Sequence, residues 1–269
     1  DVVVGVGGYA SAPTLAMAGF MGIPTVIQEQ NSYAGLTNKW LSKRVKRICV
    51  AYEGMNKFFD AGKIVLTGNP VRKNLLEKVV RQEALDYFKL AGTKKTILIF
   101  GGSLGAKTIN EAMARNTEKI ADAKDIQFIW QIGSFYEKKY MQCETALLAN
   151  VFPMVFINRM DFAYAVADLV ICRAGALTIS ELCALGKASI LVPSPNVAED
   201  HQTANANALV LKHAAEMVKD MDVDNVLINK TLALIHDQGK LKDLEDNSLA
   251  LGKPDATERI VDTILELTK

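Results

Sequence analysis

Residues 172–181, Cys-Arg-Ala-Gly-Ala-Leu-Thr-Ile-Ser-Glu, hold the densest set of groups suited to chemistry. An apolar run, 167–171, precedes them and a helical pattern, 182–185, follows, so they read as the turn between a buried strand and a helix. Such a turn aims backbone N–H groups above the sheet. The partial positive charge of the helix start then favours a diphosphate without a dedicated cation. Thr178-x-x-Glu181 is equally a capping box, in which Glu181 only satisfies free donors at the helix start.

Two other stretches carry related chemistry. Residues 97–106, Ile-Leu-Ile-Phe-Gly-Gly-Ser-Leu-Gly-Ala, run from a buried strand into a glycine-rich turn that opens a helix containing Ile109, Met113 and Ile120. Glycines let a ligand approach the backbone, and Ser103 adds a hydroxyl donor for a phosphate oxygen. The turn lacks both the G-x-G opening of a dinucleotide fingerprint and the G-K-S/T ending of a nucleoside-triphosphate loop, and an ordinary tight junction fits it as well. Further on, Asp200, His201, Gln202 and Asn205 crowd the first turn of a helix behind a Pro-rich loop. There they could reach the hydroxyls of a sugar from several directions, or merely form a solvated, capped helix start.

Asp220-Met-Asp222-Val-Asp224 matches the D-x-D signature of metal-dependent transferases. It falls in a late polar connection away from the other motifs and reads as a solvated loop. The three histidines, His201, His213 and His236, have no zinc-like spacing, so no metal site is expected.

Parallel sheets are needed to position these turns. Strands are expected near 2–6, 23–27, 46–51 and 63–66, with helices near 12–21 and 35–44. A second series is expected near 95–100, 126–131, 153–157, 168–172 and 188–193, each followed by a helix or a Gly/Pro loop. Strand–helix alternation implies parallel sheets flanked by helices, whose ligands sit at the carboxyl ends of the strands. Gly68-Asn-Pro70 breaks the chain between the two series and reads as a hinge. Pro254 and Asp255 open an amphipathic tail through Ile260, Ile264 and Leu267.

The 269 residues, 49% hydrophobic and 23% charged, have an ordinary globular composition, and a net charge of +1 gives no global field for nucleic acid. Cys49, Cys143, Cys172 and Cys183 form no C-x-x-C pair, which suits buried thiols in a reducing, cytosolic compartment. No run reaches the roughly 18 apolar residues of a membrane span. The opening, Asp1-Val-Val-Val-Gly-Val-Gly-Gly8, begins in mid-sheet, and the chain is expected to be a fragment.

Several motifs occur in one family's order. They are Gly7-Gly-Tyr9, Gln28-Glu-Gln-Asn31, Gly68-Asn-Pro-Val-Arg72, the glycine turn at 101–106, residues 173–181, His201-Gln202 with Asn205, and Pro254-Asp-Ala-Thr-Glu-Arg259. Over essentially its whole length the chain resembles the MurG family of bacterial glycosyltransferases.

The resemblance implies an α/β fold of the GT-B type: two Rossmann-like parallel-sheet domains facing a cleft, the first incomplete. Residues 1–69 would belong to the acceptor and membrane-side domain and 70–253 to the donor domain, with a helix at 254–269 crossing back. It further implies inverting transfer of N-acetylglucosamine from UDP-N-acetylglucosamine to the lipid-linked muramyl-pentapeptide precursor of peptidoglycan. The reaction would run at the inner leaflet of the cytoplasmic membrane, without metal or cofactor.

Residue by residue, Arg72 and Ser103 would face the diphosphate and Ile157 would present backbone groups to uracil. Ala176, Leu177 and Thr178 would line phosphates and nucleoside, and Glu181 would accept from the ribose hydroxyls. Gln202, with His201 and Asn205, would read the sugar, and Asn31 would help from the opposite domain.

Two departures stand out, Gln28 where the family has histidine and Ala174 where it often has serine. The family's leading glycine-rich loop, which ends in the histidine expected to act as base, has no counterpart in residues 1–269. Negligible transfer is therefore expected of this chain alone. A basic group, Lys39, Lys43, Arg44, Lys46 and Arg47 around Trp40 and Leu41, beside Phe20 and Met21, would dock on an anionic leaflet or simply face solvent. A donor-binding subunit of a split transferase and a UDP-N-acetylglucosamine epimerase are the alternatives. The epimerase needs further carboxylates for proton transfer, and only Glu181 is committed.

Overall fold

The computed structural model describes residues 1–268. The chain forms two parallel sheets. The first, ordered β1-β2-β3-β4, comprises β1 (Val3–Gly5), β2 (Thr25–Glu29), β3 (Arg47–Val50) and β4 (Ile64–Leu66). The second, ordered β10-β9-β8-β5-β6-β7, comprises β5 (Lys95–Phe100), β6 (Ile126–Gln131), β7 (Val151–Met154), β8 (Leu169–Cys172), β9 (Ser189–Leu191) and β10 (Glu216–Met217).

Continuous apolar runs account for the central strands, because both faces of the second sheet are covered. Ile97, Ile99, Phe128 and Trp130 pack into one core layer, while Leu98, Phe100, Ile129 and Val170 pack into the other. A separate core holds Leu15, Ile27, Leu41, Ile48 and Phe59 under the first sheet. Parallel pairing, with Ile97 opposite both Phe128 and Leu169, brings the turns after β5, β6, β7, β8 and β9 to one edge.

Four expectations need correction. The strand expected at 153–157 lies at 151–154, because the Ile157 N–H is taken by the Gln131 side chain instead of a neighbouring strand. As an edge strand, β7 tolerates Pro153. The helix after the glycine turn is two helices, Lys107–Arg115 and Thr117–Asp122, broken where Asn116 turns its amide back onto the Ala112 carbonyl. Leu41, expected beside the exposed basic group, is buried in the first core. The two-residue β10 was not anticipated, since Glu216–Met217 shows no apolar run.

The chain passes between the sheets twice. Gly68, at φ +88°, lies against Lys253 and Ala256, so the two crossings touch, and a Cβ at Gly68 would collide with the second. The Ala256–Leu265 helix then packs on the first sheet, with the buried Thr263 beside the Cys49 thiol.

Candidate functional site

The carboxyl edges of the two sheets face each other, and polar side chains join them. Asn69 Nδ2 donates to the Gln30 carbonyl and to Ser180 Oγ (3.0 and 3.1 Å), while its Oδ1 accepts from Gln28 Nε2 at 2.9 Å. Gln28, at the position where histidine was expected, thus anchors the hinge asparagine. Nearby, Asn205 Nδ2 donates to Asn31 Oδ1 (3.0 Å), and Asn205 Oδ1 accepts from the Ser32 N–H (2.9 Å). Glu29, given no role in the 28–31 motif, is buried and accepts from the Asn31 and Gly35 N–H groups and from the Asn31 and Asn38 amides. It shapes the loop that presents Asn31.

The turn after β8 opens the Ala176–Ala184 helix with Gly175 as its N-cap and no side-chain cap. The capping-box reading of Thr178 and Glu181 therefore fails. Glu181 lies in the second turn, where Oε1 accepts from Arg72 Nε and Nη2 (3.3 and 3.2 Å) and Oε2 from the Tyr164 hydroxyl at 3.1 Å. Burial, and then the Glu181 carboxylate beside it, push the Tyr164 phenol well above its ordinary range, so that it remains a donor. The two predicted residues Arg72 and Glu181 are thus brought into direct contact, with Arg72 more than half exposed and Glu181 largely shielded. Tyr164 gave no warning in the sequence. It sits in the Met160–Val166 helix, and only the three-dimensional pairing of that helix with the one after β8 reveals it.

In the glycine turn after β5, Gly105 and Gly133 face each other so closely that a Cβ on either would overlap the other strand's turn. Gly102, at φ +86°, has open space where its Cβ would be. Gly105 therefore serves packing, whereas Gly102 and the exposed Ser103 form the face open to a ligand. Gln131, at the end of β6, spans two of the turns: Nε2 donates to the Gly102 carbonyl and Oε1 accepts from the Ile157 N–H, both at 2.9 Å. The Ile157 amide is therefore already engaged by a side chain of the protein itself.

After β9, Glu199 and Asp200 adopt left-handed backbone conformations ahead of the His201–Val210 helix. Gln202 Oε1 holds this loop by accepting from the Ser194 N–H at 2.9 Å. His201 Nδ1 is buried without a partner, and its Nε2 lies 3.7 Å from Glu199 Oε2. Asn205, expected to read a sugar, is fully buried, with its amide spent on Asn31, Ser32 and the Ala174 carbonyl. As placed, it joins the domains. Ala176 and Thr178 are partly exposed, and Leu177 is exposed, on the first turn of the helix after β8.

The aspartate run also needs correction. Asp220 is not remote, since Arg173 Nη1 donates to it at 2.5 Å and to the Val192 and Pro193 carbonyls (3.1 and 3.2 Å). Thr108 donates to the same carboxylate at 2.7 Å. Asp224 pairs with Arg115. Asp220 thereby fixes the turns after β5, β8 and β9 to one another. No grouping of histidine, cysteine or carboxylate among the described residues has metal-binding geometry.

On the outer surface of the first domain, Phe20 is 76% and Trp40 53% exposed, with the Arg44 guanidinium stacked over both rings at 5.8 and 5.4 Å. Lys39 turns away from this group, onto Tyr33 and Phe58. No helix among the described residues is long and apolar enough to cross a membrane.

The chain matches the glycosyltransferase family 28 C-terminal domain over residues 96–260 and the glycosyltransferase family 28 N-terminal domain over residues 1–50. It is 54% identical over 272 aligned residues to the UDP-N-acetylglucosamine--N-acetylmuramyl-(pentapeptide) pyrophosphoryl-undecaprenol N-acetylglucosamine transferase of Bacteroides fragilis, covering 100% of this chain and 72% of that one. The crystal structure of Acinetobacter baumannii MurG superposes with a TM-score of 0.81 at 33% identity, over 99% of this chain and 73% of that one. A UDP-GlcNAc 2-epimerase from Neisseria meningitidis superposes at 0.70 with 15% identity, over 99% and 76% of the two chains, a likeness of fold alone. The chain belongs to the MurG family of glycosyltransferases, within glycosyltransferase family 28.

Proposed function

We propose that the edge formed by the turns after β5, β7, β8 and β9 binds UDP-N-acetylglucosamine. The sugar would pass to the undecaprenyl-pyrophosphoryl muramyl-pentapeptide held against the first domain. The contact of Glu181 with Arg72 and Tyr164 carries this reading: it places a shielded carboxylate acceptor and a cation side by side, as a ribose next to a diphosphate requires. The partnerless Nδ1 of His201 adds a polar group at the start of the neighbouring helix, where the sugar would lie.

In this reading Arg72, Ser103 and the N–H groups around Ala176, Leu177 and Thr178 bear the charge that develops on the departing diphosphate. The Ile157 carbonyl reads the uracil, Gln202 and His201 the sugar, and Asn31 orders the facing loop. Calorimetric titration of the chain with UDP-N-acetylglucosamine and UDP-N-acetylgalactosamine, in the presence of a chelator, tests the donor half. Tighter binding of the gluco sugar, unaffected by metal removal, is expected. A folded sample that binds both sugars equally or neither would overturn the assignment.

The acceptor is lipid-linked, and the Phe20–Arg44–Trp40 stack supplies a basic, apolar surface for the inner leaflet of the cytoplasmic membrane. Reversing Lys43, Arg44 and Lys46 to Glu is expected to abolish flotation with vesicles rich in anionic lipid. Unchanged flotation would exclude this face as the dock.

A further inference from the structure

A cavity of about 390 Å³ lies between the domains, apart from the donor edge. None of Arg72, Ser103, Ile157, Glu181, His201 or Gln202 lines it. Ile179, Ser180 and Cys183 line it from the helix after β8, and helical periodicity places Glu181 on the other face of that helix. Both chain crossings form part of its wall, through Gly68 and Asn69 on one and Lys253 on the other. Any occupant therefore touches the two segments about which the domains would turn.

The lining specifies a ligand class. Leu66, Ile179, Ala204, Ala208, Leu209 and Leu251 give an apolar wall, and the volume falls at the lower end of the roughly 300–1,000 Å³ of small-molecule sites. Lys57, Lys212 and Lys253 outnumber the single acid, Glu53, which pairs loosely with Lys212 at 3.9 Å. Among the described residues, Lys57 and Lys253 have no carboxylate within ion-pair distance. Ser32 and Tyr52, also in the lining, carry buried hydroxyls with no partner, which a core would ordinarily satisfy. Apolar walls, surplus ammonium groups and unspent hydroxyls together suit an apolar body bearing one anionic group.

We propose that this hinge cavity is a second ligand site that takes a small amphipathic anion and, when filled, couples to the relative placement of the two domains. The binding claim stands on the cavity alone. The coupling claim also rests on the donor reading above, because donor affinity is its readout.

The probe is 8-anilinonaphthalene-1-sulfonate, an aromatic body with one sulfonate, titrated by fluorescence against the chain. One saturable equivalent is expected. Ala208→Trp, which fills the cavity from the His201–Val210 helix, should weaken it at least tenfold, and Lys253→Glu at least fivefold. The double variant Phe20→Ser/Trp40→Ser, on the distant apolar surface, should leave it unchanged.

Hydrogen exchange with saturating probe should protect residues 51–57, 66–69 and 204–212, a readout that needs no variant to fold. Parental affinity in folded Ala208→Trp and Lys253→Glu, or protection centred on Phe20 and Trp40, would overturn the site. At saturating probe, UDP affinity should change at least threefold. If the site is confirmed while UDP affinity stays constant, the coupling is refuted. If UDP fails to bind with or without the probe, the donor reading fails and the site assignment still stands on its footprint.

Discussion

Replacing Tyr164 with phenylalanine removes one oxygen and leaves the ring packed edge-on against Phe100. What is lost is the donor to Glu181 Oε2 at 3.1 Å. A hydrogen bond to a charged acceptor is worth about 1.5–3 kcal/mol. Glu181 keeps Arg72, and its side chain is 12% exposed, so water can partly replace the phenol and the lower end applies. A stability loss of about 1–1.5 kcal/mol follows, lowering Tm by about 3–5 °C at this size.

The second consequence is functional. With the Tyr164 hydroxyl gone, the Glu181 carboxylate is held from one side only and turns toward Arg72, so the oxygen that the proposed donor reading assigns to a ribose loses its fixed direction. About 1 kcal/mol of that orientation appears as roughly fivefold weaker UDP binding by calorimetry. Glu181→Ala removes the acceptor for both hydroxyls, about 3 kcal/mol, and should weaken UDP by at least about a hundredfold. If both variants are folded and bind UDP within twofold of the parent, Glu181 is not the nucleoside anchor.

Further outcomes follow from the same geometry. Asp220→Ala strands Arg173 among the turns after β5, β8 and β9. Breaking a buried pair costs about 3–5 kcal/mol, and the partial exposure of this one brings the expected loss to about 2–3 kcal/mol by urea unfolding, while Mg²⁺ should leave the stability of the parent chain unchanged; stabilisation of the parent by Mg²⁺ that Asp220→Ala abolishes would revive the metal reading. At Glu216, burial raises the carboxyl, but hydrogen bonds from Lys230 and Lys240 outweigh it and leave the group below its ordinary value near 4.5. The unfolded chain thus binds this proton first, so the contribution is complete above that value and fades as pH falls below it. Glu216→Gln should flatten that acid limb of the melting curve; an unchanged limb would show that the lysines do not act on it. Burial pushes the Cys183 thiol up to about 11 and also raises Cys49 and Cys172, so at pH 8 only Cys143 should react quickly with an aromatic disulfide reagent. Two or more fast thiols would contradict the burial described.

What could be read from the sequence tracks how local the determining physics is. The strands at 95–100 and 126–131 were legible to the residue, because burial on both faces demands a mainly apolar run, Ile97–Phe100 in one and Phe128–Trp130 in the other. β10 was not, since two residues ride on the edge of a sheet that other strands already organise. Glycine turns announced themselves, but which glycine packs and which opens to ligand depends on Gly133, 28 residues beyond Gly105. Tyr164 and Gln131 act through partners on other elements, so composition and spacing carry no trace of them, and the spacing that drew notice to Asp220 gave no sign of its partners Arg173 and Thr108. Asn205 shows the same limit: polar groups at a helix start look ligand-facing, and its bonds to Asn31 and Ser32 exist only once the other domain is present.

The pairing of Arg72 with Glu181 also bears on how donor binding and domain placement interact. Arg72 follows the first crossing, two residues beyond Pro70, whereas Glu181 belongs to the Ala176–Ala184 helix on the second sheet. A ribose that takes the Glu181 oxygens competes with the guanidinium for Oε1, and a diphosphate beside it offers that guanidinium a new anion. Arg72 can therefore change partners without ever leaving a buried carboxylate unpaired, which removes the largest electrostatic penalty from the exchange. The exchange also pulls on the segment after the hinge, while the Asn69–Ser180 and Asn205–Asn31 bonds hold the facing loops in register. On the proposed donor reading, nucleotide recognition and domain orientation would be linked through Arg72, and Arg72→Lys, which keeps the charge but loses the Nε–Nη2 fork, should separate the two roles, weakening UDP binding in calorimetry more than it lowers Tm.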